Sequence, residues 1–328
     1  MITVAAIHTV FQKEALFTAI AEQYDIGLPL TSRFVSNGLN DTYDVVTDQG
    51  RYVLRIYKKH WRSEAEIRYE LDLLLYLQSG GIPLSSPLAR KDGELITYIA
   101  SSEGTRYAVL FTYAEGIAIA NAKTSVHYGR AAAQLHLAAD GFVSSHERFQ
   151  LDSVHLLNEP LKHLLPKLQH RPDDIRFVQE AAVRLKDRMN RLTLSDNDWG
   201  ACHGDLHGWN VFHDEKVDGS LTHFDFDCCG AGWRAYDLSV YLWNLVHVRH
   251  DPEKFGDECW DAFLSAYVAE RPLSQADLDA IPLFVAVRQL WLLGLHTGNS
   301  AVWGAWQDDG YFDGKLKFLK LWMEAYDL

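Results

Sequence analysis

The chain changes character about a third of the way along its length, and this change limits the folds that it can adopt. Before Gly116 the sequence alternates strand patterns with two helical patterns, whereas helical patterns dominate after it, except between Ala201 and Phe226. We therefore predict an α+β protein with two lobes: a small N-terminal lobe with an antiparallel sheet, residues 1–115, and a larger, mainly helical C-terminal lobe, residues 116–328. We expect a ligand cleft between the lobes, because ligand sites often lie between domains.

Strand patterns dominate the N-terminal part. Three short runs are rich in Val, Tyr and Ile: Arg33–Ser36, Thr42–Thr47 and Arg51–Tyr57. Turn residues separate these runs, so we predict an antiparallel meander. We expect a helix from about His8 to Gln23 before the meander, and a later hairpin formed by Glu94–Ala100 and Arg106–Thr112.

One helix with a defined start and end is predicted between the meander and the hairpin. Ser63 and Glu66 have the spacing of a capping box, in which each side chain binds the backbone N–H of the other residue. Leucines follow at helical spacing, and Gly80-Gly81 ends the pattern. We therefore expect an amphipathic helix that packs against the sheet.

Composition and charge exclude several classes of function. The formal net charge of −13 argues against a nucleic-acid partner, which would require a basic surface. The four cysteines form no CxxC pair, so a zinc site is not expected. The N-terminus shows no signal-peptide pattern. The longest apolar stretch, Ile281–Leu295, is interrupted by Arg288 and Gln289 and is too short to span a bilayer. We therefore predict a soluble, cytoplasmic protein.

The most informative polar pattern combines Asp205, Asn210 five residues later, and Asp225 twenty residues after Asp205. Transfer of a phosphoryl group to a hydroxyl requires a carboxylate that orients the hydroxyl and accepts its proton, together with ligands for Mg²⁺. Asp205 fits the first role. Asn210 and Asp225 fit the second, because Mg²⁺ prefers oxygen ligands and takes few carboxylates from a protein. The spacing therefore indicates a phosphoryl-transfer site.

The segments around these residues resemble the aminoglycoside phosphotransferase/choline kinase family, which has a two-lobed protein-kinase-like fold. The matching segments are His203-Gly204-Asp205-Leu206-His207-x-x-Asn210, Phe224-Asp225-Phe226-Asp227 and Gly232-x-x-x-Tyr236-Asp237-Leu238. The resemblance implies that Asp205 is the catalytic base and that Asn210 and Asp225 bind Mg²⁺, with Asp227 as an auxiliary ligand. It also implies that Asp237 supports the catalytic loop, and we expect His203 to be structural as well.

The resemblance extends to the first lobe, where it implies an ATP site. Arg55 stands where the family has a phosphate-binding lysine, and Glu70 matches the glutamate that pairs with it. Arginine keeps its charge and grips phosphate with two donors, although its reach differs from that of lysine. Val53 lies on the same strand face as Arg55 and is expected to cover the adenine. The remaining predicted nucleotide-binding residues lie in a loop and in a linker: Asn37, Gly38, Phe111 and Tyr113.

The acceptor is less constrained by the sequence. Aromatic and acidic residues near the C-terminus, Trp303, Trp306 and Asp308, are candidates together with His207, because such groups bind amines through cation–π and ionic contacts. The tryptophans also fit a simple packing role. We predict an ATP- and Mg²⁺-dependent kinase whose acceptor is a small molecule such as an amino alcohol, an aminoglycoside or a sugar. A protein Ser/Thr kinase of the bacterial stress-response type and a nucleotide-binding regulator without turnover remain as alternatives.

Overall fold

The computed structural model describes residues 6–118, 121–193, 199–214, 216–217, 219–248 and 258–328. These residues form two compact units. The first holds the chain up to Glu115 together with Ser144–Glu147, and the second holds Gly116–Val143 and Arg148–Leu328. The division after Glu115 falls where the strand-rich part of the sequence ends.

The first unit is built on a five-stranded antiparallel sheet with the order β1-β2-β3-β5-β4. The strands are β1 (Pro29–Asn37), β2 (Asn40–Thr47), β3 (Arg51–Tyr57), β4 (Thr97–Ser101) and β5 (Gly104–Thr112). The helices are α1 (Lys13–Ala21) and α2 (Glu64–Ser79). The predicted meander and the later hairpin are both present. Leu54, Ile56, Ala108 and Leu110 lie on the sheet and are buried together with residues of α1.

The first helix is shorter than the sequence pattern predicts, because it begins at Lys13. The residues before it are bound to the sheet and its hairpin. Thr9 donates its backbone N–H to Glu103, and the hydroxyl of Tyr43 donates to the carbonyl of Phe11. These long-range bonds replace the first helical turns that the local pattern favours.

The second helix follows the prediction at both ends. Glu66 donates its backbone N–H to the Ser63 hydroxyl at 3.2 Å, and Ser63 donates its backbone N–H to the Glu66 carboxylate at 2.7 Å. The helix ends at Ser79, directly before Gly80-Gly81. The capping box that the sequence predicts is therefore confirmed.

The second unit is mainly helical among the residues that the structure describes. Its helices are α3 (Ala122–Ala138), α4 (Glu159–Leu164), α5 (Pro172–Arg191), α6 (Arg234–Val248), α7 (Glu258–Glu270), α8 (Gln275–Gly298), α9 (Ser300–Trp303) and α10 (Asp309–Ala325). Two three-stranded sheets, β10-β9-β6 and β7-β11-β8, accompany them. Their strands are β6 (Ile117–Ala118), β7 (Gln150–Leu151), β8 (Trp199–Cys202), β9 (Val211–His213), β10 (Leu221–His223) and β11 (Gly230–Trp233).

Helix α8 contains the apolar stretch noted in the sequence. By length and composition alone it is sufficient to cross a membrane, but 72% of its most apolar window is buried inside the protein. Arg288 and Gln289, which interrupt the stretch, are both buried as well. This burial is typical of a core helix, and it places one positive charge inside the second unit. Helix α8 is followed directly by the single-turn helix α9.

Candidate active site

The candidate catalytic loop follows β8 and begins with His203 and Gly204. The two backbone N–H groups of these residues donate to the carboxylate of Asp237, at 2.6 and 2.7 Å. Gly204 has a φ of +79°, and a Cβ atom there would lie 1.9 Å from the carbonyl oxygen of Cys228. Only glycine satisfies both conditions. The sequence motif is therefore held by Asp237 on one side and by a close backbone contact on the other.

Asp237 lies in the first turn of α6 and is fully buried. Burial acts to raise the pKa of its carboxyl group, but the contacts of His136, His203 and the Gly204 backbone N–H together outweigh burial, and the pKa falls below its ordinary value. The Nε2 atom of His136 lies 3.1 Å from Asp237, and its Nδ1 atom lies 2.7 Å from the hydroxyl of Tyr267. Burial lowers the pKa of His136 to about 4, so the imidazole is neutral at pH 7.

His203 uses both ring nitrogens within the loop. Its Nε2 atom donates to the carbonyl of Phe224 at 3.0 Å, and its Nδ1 atom accepts the backbone N–H of Asp205 at 3.3 Å. Burial lowers the pKa of His203. A neutral imidazole with both nitrogens engaged joins two parts of the loop, and the structural role of His203 stays a prediction.

The carboxylate of Asp205 is bound on both oxygens, although its side chain keeps 18% of its surface exposed. The Oδ1 atom forms an ion pair with Arg288. The Oδ2 atom accepts a hydrogen bond from the Asn210 amide at 3.2 Å and lies 3.5 Å from Nε2 of His207. Because Nδ1 of His207 accepts the backbone N–H of Trp209 at 3.1 Å, its Nε2 atom carries the proton and faces Asp205.

Arg288 is a residue of this site that the sequence motif does not contain. Its side chain is 3% exposed, and the guanidinium carbon lies 4.4 Å from the ring centre of Trp291 and 5.6 Å from that of Trp243. Burial acts to raise the pKa of Asp205, but the positive charge of Arg288 and the contacts of His207 and His203 together outweigh it and hold the pKa well below the ordinary value. The only sequence signal for Arg288 was a charge inside an apolar helix.

The two predicted metal ligands are close along the backbone and have donor atoms suited to Mg²⁺. The amide nitrogen of Asn210 binds Asp205, which leaves the amide oxygen as its metal-binding atom. The backbone N–H of Phe224 donates to the Asn210 carbonyl at 3.0 Å and so joins the segment of Asp225 to the loop. Asp225 is exposed, whereas Asp227 is 1% exposed. The side-chain oxygens of Asn210 and Asp225 are donor atoms that Mg²⁺ prefers, and Asp227 offers a further carboxylate from a buried position.

Asp225 has an unusual backbone conformation. Its φ and ψ angles are 65° and 58°, which is the left-handed region that residues with a Cβ atom rarely occupy. A conformation of this kind costs free energy and is found most often at functional sites. In the part of the chain that the structure describes, no group of three or more His, Cys, Asp and Glu side chains is arranged as a metal site. The predicted pair differs from such a group because one ligand is an asparagine.

The predicted phosphate-binding residue and its partner lie together in the first unit. The guanidinium of Arg55 donates to Oε1 of Glu70 at 2.5 Å, and the hydroxyl of Tyr57 donates to Oε2 at 2.9 Å. Glu70 is fully buried, and the Arg55 guanidinium carbon lies 4.9 Å from the ring centre of Phe111. The second partner, Tyr57, is two residues from Arg55 and therefore lies on the same face of β3.

The other predicted nucleotide-binding residues lie around the same sheet. Val53 pairs with Phe111 across β3 and β5. Tyr113 follows β5, with the guanidinium carbon of Arg51 3.7 Å from its ring centre.

Asn37 and Gly38 lie at the turn between β1 and β2. The ammonium group of Lys58 donates to the Gly38 carbonyl at 2.5 Å. Burial lowers the pKa of Lys58 to about 8. The turn is therefore held by a buried lysine that the sequence analysis missed, because the two residues are twenty positions apart.

The acceptor candidates near the C-terminus, Trp303 and Trp306, lie around His296. The ring centres of Trp303 and Trp306 lie 6.1 and 5.2 Å from that of His296, and Trp306 is 47% exposed. The Tyr311 hydroxyl is 2.8 Å from Nδ1 of His296. The carboxylate of Asp308 accepts the Tyr311 backbone N–H at 2.9 Å and caps α10. His207 lies apart from this cluster, beside the Asp205 carboxylate.

Known proteins resemble this chain in sequence and in fold. Residues 31–276 match the phosphotransferase enzyme family. A Deinococcus radiodurans protein is 41% identical over 324 residues, which cover 98% of this chain and 93% of that protein. A homoserine kinase of Parvibaculum lavamentivorans is 30% identical over 287 residues, which cover 85% and 83% of the two chains. An amicoumacin kinase solved with AMP-PNP, Ca²⁺ and Ami has a TM-score of 0.78 at 21% identity, with 96% and 94% of the two chains covered. The α+β, two-lobed protein-kinase-like fold predicted from the sequence is therefore confirmed.

Proposed function

Because the chain belongs to the phosphotransferase enzyme family, we propose that it transfers the γ-phosphate of ATP to a hydroxyl group of a small molecule. It is a small-molecule kinase, an enzyme whose acceptor is an alcohol group. The acceptor that we propose is an amino alcohol, an aminoglycoside or a sugar-like alcohol. The single observation that carries the proposal is the Asp205 carboxylate, ionised and partly exposed in a loop that Asp237 fixes.

Asp205 is suited to orient the acceptor. Arg288 holds Oδ1, while Oδ2 faces the weaker donors Asn210 and His207, so Oδ2 is the atom that receives the hydroxyl of the acceptor. A carboxylate with a lowered pKa is a weak base. It accepts the proton late, after the bond between the hydroxyl oxygen and phosphorus has begun to form and has made the hydroxyl more acidic, which suits the loose transition state of phosphoryl transfer.

The nucleotide is proposed to be held by residues of the first unit and by a metal ion. Arg55, fixed by Glu70 and Tyr57, neutralises phosphate charge, while Val53, Phe111 and Tyr113 contact the adenine. Asn210 and Asp225 would hold Mg²⁺, which offsets the negative charge of the phosphates when it is bound. The protein is proposed to act in the cytoplasm, where ATP is available.

A coupled assay of ADP release tests the proposal. The enzyme is given ATP, Mg²⁺ and a panel of amino alcohols, sugars, aminoglycosides and generic protein substrates, with Asp205→Ala in parallel. We expect ADP release that depends on a small-molecule acceptor, and loss of most turnover in Asp205→Ala with nucleotide binding retained. Turnover of the variant close to that of the wild type would remove Asp205 from this role.

The same assay separates the alternatives. Phosphate transfer to protein substrates alone would favour a protein kinase. Tight ATP binding without ADP release for any acceptor would favour a nucleotide-binding regulator. Asp205, Asn210 and Asp225 are all present in the motif, and their presence favours turnover over regulation.

A further inference from the structure

Lys315 is a cation close to the aromatic residues around His296, where the sequence analysis places acceptor candidates. It lies on α10, one turn after Tyr311, and its ammonium group contacts Nε2 of His247 and lies 5.8 Å from the Tyr311 ring centre. Within the described part of the chain, no carboxylate forms an ion pair with Lys315. The side chain is partly exposed, so a ligand can reach it. The positive charge is therefore available for an anion that the protein itself does not supply.

The carboxylates at the start of α10 have other partners. Asp308 caps the helix through the backbone N–H of Tyr311. Asp309 and Asp313 both bind Arg171, Asp309 at 3.2 Å. Each of these three carboxylates is bound to a group other than Lys315.

A continuous series of contacts joins Lys315 to the catalytic carboxylate. His247, which contacts Lys315, stacks on Trp243 with ring centres 4.7 Å apart. The guanidinium of Arg288 lies 5.6 Å from the same Trp243 ring and binds Asp205. All of these residues belong to the second unit. The cation that pairs with Asp205 is thus linked through aromatic rings to a second cation, Lys315.

The lowered pKa of His296 reflects burial and, in addition, the positive charges of Lys315 and Arg288. Burial is the main reason that its pKa falls to about 4, and the positive charges of Lys315 and Arg288 lower it further. Both cations therefore act on the space around one imidazole ring. An ammonium group placed there would be repelled by the same two charges, whereas a carboxylate would be attracted.

We propose that the acceptor alcohol also carries a carboxylate, which Lys315 binds while Arg288 remains paired with Asp205. This inference rests on the proposed kinase function. Among small-molecule alcohols it favours hydroxy acids, including amino acids with a side-chain hydroxyl, over amino alcohols and aminoglycosides that carry only positive charge. Lys315 is then the residue that distinguishes an anionic acceptor from a cationic one. A hydrogen bond to a charged group of this kind changes affinity by about 10- to 100-fold.

Two small probes test the charge preference directly. 4-Hydroxybutanoate and 4-aminobutan-1-ol share a primary hydroxyl at one end of a four-carbon chain and carry opposite charges at the other. Binding of each to the full-length protein, with ADP and Mg²⁺ present, is followed by tryptophan fluorescence, because Trp243 and Trp291 lie beside Arg288. We expect the wild type to bind 4-hydroxybutanoate at least tenfold more tightly than the amino alcohol.

Three variants assign the preference to one residue. Lys315→Met removes the charge and should weaken 4-hydroxybutanoate binding by about 10- to 100-fold. Lys315→Arg keeps the charge and should retain most of the affinity. Lys317→Met, at an exposed position two residues away on the same helix, is the matched control and should bind like the wild type. If Lys315→Met does not fold, the comparison of the two probes on the wild type and on Lys315→Arg still decides the question.

Binding and turnover are read separately, so that the two proposals fail in different ways. Equal binding of the probes, tighter binding of the amino alcohol, absence of 4-hydroxybutanoate binding, or full affinity in Lys315→Met would each overturn the carboxylate site. In those cases ADP release with amino alcohols would leave the kinase proposal standing. Lys315-dependent binding of 4-hydroxybutanoate without ADP release for any acceptor would retain the anion site and refute the kinase function.

Discussion

Replacement of Arg288 by methionine tests the ion pair that holds Asp205. The substitution removes the guanidinium but keeps an apolar side chain of similar length in contact with Trp291 and Trp243. Asp205 then stays largely enclosed with only the weaker donors Asn210 and His207. Breaking a buried ion pair by removing one partner costs roughly 3–5 kcal/mol. Because the Asp205 side chain is 18% exposed, we expect the free energy of unfolding to fall by about 3 kcal/mol.

A double-mutant cycle distinguishes the lost ion pair from lost packing. Asp205→Asn alone leaves the positive charge of Arg288 buried without its partner. Arg288→Met alone leaves the negative charge of the Asp205 carboxylate without its partner. The double variant has neither charge, so it should be more stable than the sum of the two single effects by about 2–3 kcal/mol. The measurement is the free energy of unfolding of the four proteins in urea. Additive effects would refute the argument, because they would mean that the two side chains do not stabilise each other.

The activity of the Arg288 variant should also depend on pH in a different way. In the wild type the pKa of Asp205 is lowered, so its carboxylate stays ionised even within the ordinary carboxyl range. The stability that this ionised group gives the folded protein is complete above that range and is lost only in strong acid. Without the arginine, burial raises the pKa, and kcat/KM should fall as the pH decreases from about 7 toward 4. Arg288→Lys should restore most of the wild-type profile. A lower kcat with an unchanged acid limb would show that Arg288 acts on packing alone.

Three further substitutions test other parts of the structure. Gly204→Ala should lower the melting temperature and abolish activity because of its backbone angle and close contact, whereas Gly314→Ala, in open space on α10, should be neutral or stabilising. Arg55→Lys keeps a charge beside Glu70 and should change the KM for ATP less than Arg55→Met, which we expect to lower kcat/KM about 10- to 100-fold. The folded protein keeps the His136 imidazole neutral down to a pKa of about 4, whereas the unfolded chain protonates it from about pH 6.5 downward, so the wild type should lose stability between these pH values. His136→Gln should reduce that loss, as measured by urea unfolding at each pH.

Local patterns in the sequence predicted those parts of the fold that local interactions determine. The capping box at Ser63 and the meander from β1 to β3 are examples, because turn residues and alternation act over a few positions. The start of α1 was wrong by about five residues, since Thr9 and Phe11 bind partners that are distant in sequence. A helical pattern does not reveal such competition for backbone groups.

In the candidate site too, residues that are close in sequence were predictable and their distant partners were not. Asp205, Asn210 and Asp225 follow one another with a recognisable spacing. In the structure the side-chain amide of Asn210 donates a hydrogen bond to the Asp205 carboxylate. Arg288 and His136 were missed because they lie 83 and 101 residues from their carboxylate partners. Pairing over such separations depends on how helices pack. A charged residue inside an apolar helix is the one local sign that a partner exists, and Arg288 carried that sign.

The left-handed backbone of Asp225 has a consequence for how this chain can evolve. Glycine would adopt the same angles without the cost of about 1 kcal/mol that a Cβ atom imposes there. A descendant no longer selected for catalysis would gain stability by accepting glycine at this position, and would lose the carboxylate in the same step. Residue 225 is therefore a position at which selection for stability and selection for chemistry oppose each other, and its identity separates working descendants from those that keep only the fold.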